Sequence, residues 1–133
     1  MSARWPDAEA ALIAWLPRLL DGPRVCTDAP ANLESALPLV RLYRSGGTDD
    51  GFRLDTAMVE VDAFAGTRAQ AVALAARLRA VLLEHLSGRT ISTATGDVVF
   101  TACSTTAAPT VRPWANPAVV RVGATYSVRL HTR

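Results

Sequence analysis

Hydrophobic positions along the chain recur with two periods, and their succession lays out the elements. In WPDAEAALIAWLPRLLDG, residues 5–22, Ala8, Ala11, Leu12, Trp15, Leu16 and Leu19 fall at helical spacing. Pro6 suits a first helical position, Asp7 and Glu9 suit the positive end of the helix dipole, and Gly22-Pro23 stops the run. Pro17 removes an amide donor and crowds the carbonyl of Ile13, so a kink or a change of helical character is expected there. The second helix is TRAQAVALAARLRAVLLEHL, residues 67–86. Thr67 with Gln70 three residues later makes a capping box, and Gly88 lies just past the end. Only Gln70, Arg77 and Glu84 share a narrow polar line. Leu74, Leu78, Val81, Leu82 and their neighbours cover more than half the circumference, interrupted mainly by Arg79. That arc is wider than a helix covering one sheet needs. Either the first helix packs beside it, or part of it meets another subunit.

Period two marks the strands. Val25–Thr27 suggests a short one, and the turn-rich DAPANLESALP after it has room for one helical turn. LPLVRLYRS and RLDTAMVEVDAFAG flank GGTDDG, which predicts a hairpin with a loose Gly- and Asp-rich loop. In its second strand Ala57, Val59, Val61 and Ala63 alternate with Met58, Glu60, Asp62 and Phe64, so Glu60 and Asp62 share the more polar face as solvated carboxylates. After a linker, DVVFTACSTTAAP reads as a strand, APTVRPWANP as an irregular joint, and AVVRVGATYSVRLH as the last strand. There Val120, Val122, Ala124, Tyr126, Val128 and Leu130 point inward, which aims Arg121 and Arg129 away from that core, where neither should matter much to folding. The order α-β-β-β-α-β-β predicts one α+β domain over residues 1–133, a mainly antiparallel sheet of about four to five strands with two helices on one face.

Composition changes this picture little. With 133 residues, half apolar and a fifth charged, the chain is globular rather than disordered. No apolar run approaches a membrane span, and MSARWPDAEAAL lacks a signal peptide's hydrophobic segment, so a soluble cytoplasmic protein is expected. Charge is more informative. Residues 1–66 carry six Arg against ten acidic residues, and residues 67–133 carry eight Arg against two. Such asymmetry, where it survives folding, favours contacts between copies over tight nucleic-acid binding, which wants a stronger basic stripe interleaved with aromatics.

Candidate chemistry is sparse. His85 reads as a helix-end cation and His131 as a strand-end surface residue, and neither HExxH nor CxxC occurs, so no metal site is expected. Cys26 and Cys103 read as small hydrophobes. Asp49, Asp50, Asp55, Glu60 and Asp62 form the carboxylate cluster. DDG at residues 49–51 lacks the spacing of a calcium loop, and the serines have no nucleophile-elbow context. No catalytic residue and no cofactor is expected. An acid-base pair of Glu60 with Asp62 would make the chain a small cytosolic enzyme, but no third group converges on it.

The stretches WPDAEAALIAWL, ANLESALPLVRLYRSGG, VDAFAGTRAQAVALAARLRAVL and PWANPAVVRVGATYSVRLH together resemble the tail terminator proteins of long-tailed bacteriophages, over nearly the whole chain and in order. The resemblance implies a structural virion protein of α/β fold: a homo-oligomeric ring, hexameric, that caps the tail tube, stops its growth and joins it to the head-completion or neck proteins. Genomic DNA passes through the lumen without sequence-specific binding, and no membrane is involved. It implies assembly in the host cytoplasm and residence at the tail-neck junction. A neck connector of the same virion, or a binding module of other origin, are the alternative readings. A ring implies a head-to-tail interface, for which Asp49, Asp50, Arg79, Trp114, Arg121 and Arg129 are the candidates. Trp114, between Pro113 and Pro117, either seals its own core or enters a neighbour's pocket. Arg121 and Arg129 either pair with the acidic hairpin of the next copy or line the channel. The loop SGGTDDGF is expected to be mobile until a neighbour orders it.

Overall fold

The computed structural model describes residues 5–133; residues 1–4, which open the stretch read for a leader, lie outside it. Its elements are α1 (Ala8–Trp15), β1 (Arg24–Cys26), β2 (Leu39–Asp49), β3 (Asp55–Ala65), α2 (Arg68–His85), β4 (Thr90–Thr93), β5 (Gly96–Arg112) and β6 (Val120–Thr132). The six strands form one curled sheet in the order β1-β2-β3-β6-β5-β4, antiparallel except for the parallel β1–β2 pair.

The second helix begins as the sequence indicates, but the first starts at Ala8, two positions after the expected Pro6, because Asp7 caps it by accepting the N–H of Ala10. Thr67 caps α2 by accepting the N–H of Gln70. At Pro17 the first helix gives way to a single 3-10 turn, Leu16–Arg18, because a ring nitrogen cannot continue the α ladder. A second 3-10 turn, Leu33–Ser35, occupies the turn-rich segment.

The strand count exceeds the expected four to five, and the order gains a strand after α2. The segment taken as a linker contains β4, a four-residue partner for the start of β5 in which Ile91 is the one buried residue. So short a strand with one apolar side chain leaves almost no alternation to read. Likewise APTVR is not an irregular joint: β5 runs through it to Arg112, opposite Arg121. Pro109 is tolerated because it sits where the register shifts between Ala107 and Thr110, on a strand that from Ala102 onward has β6 as its strand partner on one edge only among the described residues. The hairpin also differs from a loose loop. Gly46 to Asp49 belong to β2, with a bulge between Arg44 and Gly46. Gly47, at φ 126°, passes so close to the backbone of Thr56 that no side chain fits there.

The two helices lie on one face, in one core with Val40 and Leu42 of β2, alternate residues Ala57 to Ala65 of β3, Phe100 of β5, and Val122, Ala124, Tyr126, Val128 and Leu130 of β6. On α2 the buried stripe is Ala71, Leu74, Ala75, Leu78 and Leu82. A smaller cluster closes one end of the opposite face, where Leu33, Leu39, Phe64 and Val119 pack with the half-buried Leu37 and Trp114.

Candidate subunit interface

Three separate surfaces carry the candidate residues. The first is the face of the sheet away from the helices. Alternation places Arg41 of β2, Glu60 and Asp62 of β3, Arg112 of β5, and Arg121, Gly123 and Thr125 of β6 side by side. These groups are a bonded ladder rather than a solvated surface, which corrects the reading of Glu60 and Asp62. Asp62 is fully buried. Arg41 reaches its Oδ2 at 2.6 Å and Arg121 its Oδ1 at 2.9 Å. Glu60 accepts from Arg112 at 3.2 Å, from Thr125 at 2.9 Å and from Ser45 at 3.0 Å. Burial works against the Glu60 charge, but the hydrogen bonds from Thr125, Ser45 and Arg112 outweigh it and hold the carboxyl below its usual range.

Gly123 is what lets the ladder close. A Cβ there would lie 2.6 Å from Asp62 Oδ1 and 2.8 Å from Arg112 Cδ, so the bare backbone gives Arg112 its route to Glu60. Trp114 then covers the end of the ladder. Its ring meets Phe64 edge to face at 4.8 Å, and the guanidinium groups of Arg41 and Arg121 lie 5.3 Å and 5.8 Å from its centroid. Of the two roles for Trp114, the subunit's own packing occupies it, and the same contacts occupy Arg121. Because Arg121 holds a buried carboxylate, it matters to folding, unlike the expectation from its strand phase. Arg129, eight residues further along β6, is exposed.

The second surface is the tip of the β2–β3 hairpin. Asp49 and Asp50 do not make it slack. Asp49 Oδ1 accepts the N–H of Gly51, and Asp50 Oδ1 accepts those of Phe52, Arg53 and Leu54. The backbone N–H groups of Arg53, Phe52 and Leu54 hold the Asp50 carboxyl below the usual carboxylate range. This tied turn projects Phe52, which is 79% exposed, while Arg53 turns back to His131. Asp55, counted with these carboxylates from sequence, instead makes a bidentate pair with Arg44 at 2.7 and 2.8 Å. The five acidic residues therefore divide among a turn, a bulge and the ladder.

The third surface is a groove of about 630 Å³ between α2 and the last third of β5. Val72, Ala76, Ala80 and Leu83 line one wall, Pro109 and Val111 the other, and Arg68 and Arg79 stand at its rim with Glu84. Val72, Leu83 and Val111 remain 40–48% exposed. Here is the surplus of the wide apolar arc on α2: the stripe against the sheet is buried, and the remainder opens beside β5. Sequence reasoning named Arg79 but missed the groove and Phe52. A phenylalanine in a Gly- and Asp-rich turn was the available signal for the tip, but the β5 wall was hidden by reading APTVRPWANP as an irregular joint.

Among the described residues, no three His, Cys, Asp or Glu side chains gather as metal ligands, and no helix is long and apolar enough to cross a membrane. The sequence profile of the phage tail termination protein family matches residues 4–133. The chain belongs to that family. Its role is structural, in the phage tail. A search of curated proteins found no match.

Proposed function

We propose that residues 1–133 act as a single-domain subunit of a ring, of six copies, that caps the phage tail tube, ends its elongation and joins it to the head-completion or neck proteins. The observation that carries this reading is the family match over residues 4–133. The surfaces support it. A subunit that forms a closed ring needs two different patches, one to give and one to receive, and the hairpin tip and the α2–β5 groove are of that kind. The exposed Arg129 is free to face the next copy or the DNA in the lumen, whereas Arg121 serves the subunit's own ladder.

The test is depletion of this protein during tail assembly, with electron microscopy of the products. The reading expects tubes of uncontrolled length without heads, restored to uniform headed tails when the protein is supplied. Tails of normal length assembled without it would overturn the reading. Tails of normal length that fail only to join heads would reassign the protein to the neck.

A further inference from the structure

The hairpin tip is aromatic and acidic, and the α2–β5 groove is apolar with Arg68 and Arg79 in its lining, yet the two cannot meet within one molecule. The tip adjoins Asp55, at one end of β3. The groove lies at the other end, where Val122 pairs with both Val111 and Ala63. The length of β3 from Asp55 to Ala65 separates them by about 30 Å at the usual rise of a strand. Phe52 is the most exposed of the large hydrophobics, and it is held outward by a turn whose own amides are satisfied by Asp49 and Asp50. A rigid aromatic on a bonded turn loses little entropy on docking, as a binding anchor requires. The groove that would receive it is walled by small and branched apolar residues. Its roughly 630 Å³ accommodates a ring with part of the turn that carries it. Arg68 and Arg79 at its rim match Asp49 and Asp50 beside Phe52, while Arg53 is turned away against His131 and Glu84 stands beside His85.

Building on the ring reading above, we propose that the occupant of the groove is Phe52 of a second copy of this chain, with Asp49 and Asp50 of that copy facing Arg68 and Arg79. The contact is heterologous: each subunit gives its tip to one neighbour and receives a tip from the other. A two-fold dimer would close both tip–groove contacts between the same two copies; here each copy serves two neighbours, so the contact propagates around a ring.

The experiment is a paired-cysteine crosslink in assembled tails. Arg53→Cys, which sits beside Phe52 and leaves the anchor in place, and Val72→Cys are both at exposed positions, so neither disturbs the core, and equal melting with the unmodified protein checks this. Tails built with the double variant and then oxidised are expected to yield a ladder of crosslinked multimers. A mixture of the two single variants is expected to stop at dimers. The separation of about 30 Å excludes a bridge within one chain. Separately, Phe52→Ser is expected to weaken self-association by about 30-fold, the loss of a central aromatic anchor. Headed tails of normal length that give no crosslink, or an unchanged association for Phe52→Ser, would overturn the contact and leave the terminating role intact. A crosslinked ladder from a protein that does not control tube length would support the contact and overturn the terminating role.

Discussion

The two faces of the sheet are closed by opposite means. Toward the helices, Val59, Val61, Tyr126 and Val128 meet Leu12, Leu16, Leu74 and Leu78 in a continuous apolar core. Away from them, the same strands present Arg41, Glu60, Asp62, Arg112 and Arg121, joined in a ladder under Trp114. Apolar burial is non-directional, so each helix-side residue contributes nearly independently and in proportion to its area. The ladder is mutual. Asp62 costs several kcal/mol to desolvate, and Arg41 and Arg121 offset that cost only while both are present, while Arg112, Thr125 and Ser45 hold Glu60 beside it. Neighbouring residues of one strand thus obey different rules according to which way they point.

Substitutions on the two faces probe that contrast. The largest effect is expected from Leu78→Asp, which places an unpaired carboxylate against the sheet and should cost more than about 4 kcal/mol, enough to leave the chain unfolded. Arg77→Asp, next to it on the exposed line, should stay within about 0.5 kcal/mol. Denaturant melts that treat the two alike would break the assignment of faces. Asp62→Ala comes next. It strands Arg41 and Arg121, whose partial exposure moderates the loss to about 3 kcal/mol. Combined with Arg121→Ala, the cost should fall well short of the sum of the single changes; simple additivity would show that the ladder is not a unit.

Gly123→Ala is expected to cost about 1–3 kcal/mol, since the new methyl collides with Asp62 and with the Arg112 side chain crossing toward Glu60. A neutral outcome would mean that Arg112 has another route. A small effect of opposite sign at neutral pH belongs to Tyr126→Phe on the apolar face. The Tyr126 hydroxyl is buried with no protein partner among the described residues, so its removal should stabilise by up to about 1 kcal/mol. Burial pushes this phenol up from 10.0 to about 12. A raised pKa contributes stability in full below the unfolded value and loses it as pH rises through the folded value. The unmodified protein should therefore weaken between about pH 10 and pH 12, and Tyr126→Phe should weaken less. Parallel melting curves for the two proteins across that range would contradict the burial of this hydroxyl.

Much of this molecule is local and so was determined by the sequence alone. Asp7 and Thr67 cap their helices through bonds to residues three positions on, Pro17 breaks α1 through its own ring, and the alternation from Val120 to Leu130 reports which way each side chain points. Periodicity also revealed that α2 carries more apolar surface than one sheet needs. What tertiary structure alone decided is what each outward side chain meets. Glu60 lies 52 residues before Arg112 and Asp62 lies 59 before Arg121, and strand pairing rather than any local pattern brings them into contact. Pro109 breaks a strand by its chemistry but is harmless at a register shift on a free edge, a circumstance set by which strands pair. The groove requires α2 and β5 to approach without closing, and only the curl of the whole sheet sets that distance. Direction is a property of the residue and its neighbours, whereas partnership is a property of the fold.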